Sequence, residues 1–297
     1  MESSPKKPWH EIGVDVDAKL SSSEMLYKAG LDWEVSKIPS QRPKSYGNQE
    51  TIRFFKAFFE AGEANIEAVG SLDDARILWS LARLHEDFTL KSDDEVKGYI
   101  LLASRNNSRE KIEIQFTTLR TSCYNTFQVV SKARSHMKND FRRTFKPTFP
   151  FLNQKVQKFD DEKKKKVKAI TIQGREAISA FGTIAKSLTD KKVDKLMARQ
   201  YLLEVFQSET NKVLSPREEK SLRERAENKV NLAFQAYFQA PGQESESTNG
   251  TAWGLLNAVT YTIDHQLGTN HDSRLRQAWF GTNAKIKNRA FDLALSL

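Results

Sequence analysis

The chain has 297 residues, 38% of them hydrophobic, and 47 Lys and Arg against 38 Asp and Glu give it a net charge of +9. This length admits one large domain or two modest ones, and its single cysteine, Cys123, excludes an intrachain disulfide and any zinc site built on several thiolates. No apolar run reaches the roughly 18 residues of a membrane-spanning helix, and the opening MESSPKKPWHEIG lacks the apolar core of a secretory signal. The expectation is a protein of a reducing cytoplasm that contacts no membrane and whose basic excess favours a polyanionic partner.

In chain order, residues 1–8 are polar, and Trp9 is the apolar foot of an anchoring segment. Ser21, Ser22, Ser23 and Glu24 offer a helix start and Gly30 its stop, residues 31–38 alternate as a strand, and residues 39–47 read as loop. Residues 48–61 form an amphipathic helix with Ile52, Phe55, Phe58 and Phe59 on one face. Residues 65–72 and 76–84 form a hairpin turning at Asp73 and Asp74. A second strand pair follows, 99–104 and 111–123, turning at Asn106 and Asn107, a pair that tolerates left-handed backbone. At Asn125 the pattern predicts a helix, with Asn125 as N-cap and Gln128 completing a capping box. Helical periodicity then dominates: a long helix over 153–188, one over 193–206, and one opened by Ser215, Pro216 and Glu218. A polar loop over 240–250 follows, then helices over 251–267 and 283–295. The expected class is α+β, an N-terminal antiparallel β-meander packed with helices and followed by a mostly α-helical C-terminal half. Its expected divisions are 1–20 as a partly disordered segment, 21–145 as the α+β core, and 146–297 as a helical region packed on that core.

Several stretches keep one order along the chain: PWHEIG, then GLDWEV at 30–35, GSL and RILWSLARL within 70–84, LLASRNNS, QFTTLRTSCYNT, TAWGLLNAVTYTIDH, and a terminal W-F-G followed by K-I-K-x-R-A. As an ordered set they resemble the phage/plasmid-like protein family, catalogued as domain of unknown function 932. The resemblance implies a phage, prophage or plasmid origin and a bacterial host cytoplasm, and it implies no mechanism. Asp73, Asp74 and Ala75 stand where that family has a Gly-rich turn, and Asn106-Asn107 where it often has Asp-Gly, both turn-for-turn exchanges. The order helix, strands, helix in the first half is also similar to the core of Rad52-like single-strand annealing proteins, which implies ring assembly and DNA held in a basic groove.

Motifs of catalysis are sparse. No G-x-x-x-x-G-K-[ST] loop exists, because Gly174 and Gly182 lie inside a helical pattern, and no G-x-S-x-G elbow exists. Asp264, His265, His271 and Asp272 offer metal-ligand chemistry, with His265 and His271 as the candidates, but a spacing of six is not a helical i,i+4 pair. His265 is otherwise a helix-terminal residue. Cys123 and Asn125 read as corner pieces, the first a small buried residue and the second a cap. The acids at Asp73-Asp74 and Asp93-Asp94-Glu95 read as solvated turns.

The dominant feature is charge. Between Lys132 and Lys168 thirteen cations face four carboxylates, an excess of nine that equals the net charge of the whole chain. Lys132, Arg134, Lys138, Arg142, Arg143, Lys163, Lys164, Lys165 and Lys166 are the candidate phosphate contacts, joined by Arg105, Arg109, Lys111 and Arg120 of the neighbouring hairpin. Phe141, Phe145, Phe149 and Phe151 are interleaved and offer stacking surfaces for bases. The functional expectation is a single-stranded-DNA-binding protein that anneals without ATP, needs no cofactor and assembles as a homo-oligomer, with a ring as one form of it. The alternatives are an interaction protein acting on a host system and a metal-dependent nucleic-acid enzyme.

Overall fold

A computed structural model describes residues 6–9, 13–15, 48–73, 76–105, 112–129, 161–207 and 215–297. Its centre is a six-stranded antiparallel meander: β1 (Gly13–Asp15), β2 (Asn65–Leu72), β3 (Ile77–Thr89), β4 (Glu95–Arg105), β5 (Ile112–Arg120) and β6 (Asn125–Gln128), in that spatial order. The helix α1 (Asn48–Ala61) precedes β2 and buries Phe55, Phe58 and Phe59, as its 3.6-residue spacing predicts. The expected helix and strand of residues 21–38, the loop 39–47 and the Asn106-Asn107 turn lie outside the described residues.

Register decides what each sheet face carries. Ala82 pairs with Ile100 and Ile100 with Phe116, so one face holds Leu84, Ile100 and Phe116. Against it lies the long helix α2 (Asp161–Asp190), drawn close at Gly174, where an added Cβ would meet the Phe116 ring at 2.6 Å. Phe127 of β6 stacks on Phe181 of α2 with centroids 5.2 Å apart. The opposite face carries Trp79, which meets Trp9 and Trp279 at 6.4 and 5.2 Å.

The strand β6 overturns one expectation. Residues 125–128 are not the first turn of a helix but the last strand of the sheet, with Arg120 opposite Asn125 across a tight turn. Tyr124 takes the left-handed conformation there, with φ 53°, and its N–H donates to Arg120 O at 2.8 Å. The capping-box spelling is satisfied equally by a strand whose Thr126 and Phe127 favour extended backbone.

Beyond α2 come α3 (Lys195–Phe206), α4 (Pro216–Gln239), α5 (Ala252–Tyr261), a π-helical turn (Thr262–Gln266), α6 (His271–Phe280) and α7 (Thr282–Ser296). Ser215 opens α4 with the full reciprocal capping box to Glu218. The helix α6 was not legible as a separate element. Asn270 caps it by accepting from Ser273 N–H at 2.8 Å, so DHQLGTNHD spans a π turn, a left-handed Gly268 and a fresh helix start. No described helix is long and apolar enough to cross a membrane.

Candidate nucleic-acid interface

Of the expected phosphate contacts, those that the described residues place on the surface lie at the start of α2. Lys164, Lys165, Lys166 and Lys168 are all exposed there, on the first two turns. Asp161 and Glu162 precede them and pair with Lys164 at 3.7 Å and Lys166 at 2.5 Å, while Lys168 reaches Glu63 at 2.8 Å. These are surface pairs, screened by water and weakened further by salt. The N-terminus of a helix already carries the positive end of the macrodipole, so lysines there cost the helix stability while strengthening its attraction for anions. Farther along α2, an open groove of about 450 Å³ is flanked by Glu86 and Glu176, which do not suit phosphate.

Most other expected contacts lie outside the described residues: Arg109, Lys111, Lys132, Arg134, Lys138, Arg142 and Arg143, together with the side chains of Arg105 and Lys163. Arg120 is placed, and it corrects the expectation. Its side chain is 2% exposed, and its Nε donates to Asp94 Oδ1 and Oδ2 at 2.7 and 2.9 Å. Nη2 donates to Gly242 O at 2.7 Å. Asp94, expected as a solvated turn residue, is buried with it and also accepts from Ser247 Oγ at 2.6 Å and Trp253 Nε1 at 3.4 Å. The polar loop 240–250 therefore turns inward, where its hydroxyls and carbonyls satisfy a charge pair that burial would otherwise penalise. Arg120 offers no cation to a ligand at the surface.

A second buried pair closes the sheet. Thr126 sits on the edge strand β6, and its outward N–H and C=O would otherwise lack partners. Asp264 Oδ2 accepts from Thr126 N–H at 2.7 Å, and Lys287 Nζ donates to Thr126 O at 2.8 Å and to Asp264 Oδ1. Trp279 Nε1 donates to Thr126 Oγ1 at 3.2 Å. The ion pair thus occupies the hydrogen-bonding positions of a seventh strand. Burial lowers the Lys287 pKa, with Asp264 opposing that shift.

This arrangement also accounts for the histidine cluster. Asp264 is committed to Thr126 and Lys287, and Asp272 Oδ2 accepts from Asp73 N–H at 2.9 Å. His265 lies against the Tyr261 ring at a tilt with centroids 4.7 Å apart, and burial drops its pKa to about 4. His271 is the first residue of α6. Among the described residues no group of three or more metal-ligating side chains converges.

Cys123 and Asn125 both lie at the β5–β6 turn. The Cys123 thiol is buried, and burial pushes its pKa up although Arg120 Nη1 stands 3.6 Å away. A thiol held protonated in the interior is a poor nucleophile. Asn125 Nδ2 donates to Asn257 O at 3.0 Å and so ties the sheet to α5.

A protein-family model described as a domain of unknown function, DUF932, matches residues 37–279. No curated protein and no solved structure matches the chain.

Proposed function

The chain belongs to the DUF932 family, whose description assigns no activity, and from that premise we propose that it binds single-stranded DNA through its phosphate backbone and promotes annealing without ATP. The observation that carries the reading is the placement of the lysines. The basic run of the sequence ends on the first two turns of α2, where Lys164, Lys165, Lys166 and Lys168 stand exposed at a helix N-terminus. Lysine charge and helix dipole add there, and release of counterions from DNA would offset what the helix loses by carrying like charges at its positive end. Two buried ion pairs, by contrast, are committed to each other: Asp94 with Arg120 and Asp264 with Lys287 are structural pairs. A protein of this kind holds backbone and leaves bases free to meet a complementary strand, which requires no catalytic side chain. A phage or plasmid origin and a ring assembly belong to the same proposal and rest on resemblance alone.

The test is a salt titration of binding to single-stranded and duplex oligonucleotides of one sequence, between about 50 and 200 mM salt. Log affinity falls linearly with log salt, with a slope of about −0.7 per neutralised phosphate on the single strand. The triple variant Lys164→Glu, Lys165→Glu, Lys166→Glu binds more weakly and has a shallower slope, and the wild-type protein anneals complementary strands without nucleotide. Equal affinity for duplex, or affinity indifferent to salt, defeats the proposal.

A further inference from the structure

Among the described residues, five large apolar side chains are exposed, and three of them, Leu196, Leu203 and Phe238, lie on α3 and α4. The two helices run antiparallel side by side. Lys195 Nζ, at the start of α3, is 5.7 Å from the centroid of the Phe238 ring near the end of α4, and Arg199 pairs with Glu227 farther along. Single exposed apolar residues are ordinary, but these three belong to one face. Leu196, Gln200, Leu203 and Gln207 recur at spacings of four, three and four, so they share one side of α3, and all four are exposed. Asn231, Gln235 and Phe238 do the same on α4, at spacings of four and three. The buried residues Leu202 and Val205 of α3, and Ala233 and Ala236 of α4, lie on the opposite sides of their helices. The two stripes therefore flank each other on the outer surface. None of their seven residues is charged, in a chain of which 29% is charged. Between the stripes the half-exposed Arg199 and Glu227 cancel each other's charge.

We propose that a second copy of the chain docks on this face of α3 and α4, forming a two-fold dimer. A surface that loses its charges while keeping leucines and an aromatic ring has the composition of a protein–protein contact. Charge identifies the occupant. A nucleic acid needs cations, and the seven residues supply none. A strongly charged partner of either sign would find nothing on them to pair with. Two copies of a chain that carries +9 repel one another, and the cost is least where they meet through an uncharged surface. Amides suit such a meeting, because each both donates and accepts and so complements its own copy. Gln235 Nε2 donates to Gln239 Oε1 at 2.9 Å, a bond that uses only part of the capacity of either amide. In a two-fold contact one patch serves both copies, and the contact closes at two. The inference does not depend on DNA binding, since it uses none of the lysines at the start of α2.

The test is the mass of the nuclease-treated full chain by sedimentation equilibrium at micromolar concentration. The wild-type protein associates through pairs of the 34.0 kDa chain. Added salt leaves the pair intact or tightens it, because salt screens the repulsion between copies. Leu203→Glu and Phe238→Glu each bury an unpaired carboxylate in the contact and raise its dissociation constant at least about tenfold. Ile172→Glu, at an exposed position of α2, leaves that constant unchanged. Circular dichroism melts check that each variant keeps the fold. Should Leu203→Glu or Phe238→Glu not fold, Gln200→Cys takes its place. Cys123 is the chain's single cysteine and is buried, so a bifunctional maleimide joins two copies through the introduced thiol. A monomeric wild-type protein, an assembly that Leu203→Glu and Phe238→Glu leave intact, or a Gln200→Cys chain that yields no cross-linked pair overturns the proposal.

Discussion

At the scale of single residues, burial converts charges into structural parts. Arg120 and Asp94 are 2% and 1% exposed at their side chains, and each is held by groups from distant segments. Lys287 and Asp264 are enclosed as completely. Removing one member of such a pair strands the other, so Lys287→Met should destabilise the fold by about 3–5 kcal/mol in denaturant melts. The double variant Lys287→Met, Asp264→Leu should recover only part of this, because Thr126 N–H then loses its acceptor. His265 gives a pH dependence of definite sign. Its neighbours are Asp264, Lys287, Arg274 and the Tyr261 ring, and burial lowers its pKa from 6.5 to about 4. A depressed histidine contributes stability that is complete above about pH 6.5 and is lost as pH falls through 4, on the order of 3 kcal/mol in all. The denaturation midpoint should therefore drop between about pH 6.5 and 4, and His265→Asn should remove much of that slope.

At the scale of elements, the meander shows which patterns are legible locally and which are not. The helix α1 and the strands β2 to β5 carry periodicities long enough to declare themselves, and α4 declares its start through Ser215, Pro216 and Glu218. Residues 125–128 are too few for a period to decide between helix and strand, and the hairpin partner that decides it, β5, is a matter of pairing. The helix α6 escaped because its buried apolar positions, Leu275, Ala278 and Trp279, are few and gain their meaning from distant partners, as Trp279 does from Trp79. The bulge in β3 between Arg83 and Asp87 belongs to the same class. It brings Glu86 O so near Gly98 that an added Cβ would lie 2.2 Å from it. No side-chain rotation relieves a clash with backbone, so Gly98→Ala should cost more than about 2 kcal/mol in thermal or chemical melts.

At the scale of the whole molecule, one buried apolar cluster runs from Trp9 to Ala294 and joins sheet and helices. Residues on both sides of position 145 contribute to it, Phe127 and Phe181 in direct stacking. The chain should accordingly unfold in a single transition by circular dichroism and by tryptophan fluorescence, with coincident midpoints. Two separated transitions would show that the helical half folds without the sheet. Charge follows a different logic, because it is segregated along the sequence rather than gathered by folding. The concentration of cations between Lys132 and Lys168 needs no tertiary structure to be seen. The sequence by itself thus determined the α+β class, the long periodic elements, the family resemblance and the basic run, each of which depends on neighbours within a few turns or on composition. Only the tertiary structure decided that Arg120 and Asp94 turn inward, that Asp264 and Lys287 close the edge of β6, and that the 240–250 loop is an interior clasp. Those outcomes depend on partners more than a hundred residues away for Arg120 and Thr126, and what a charged side chain does is set by the groups that fold against it.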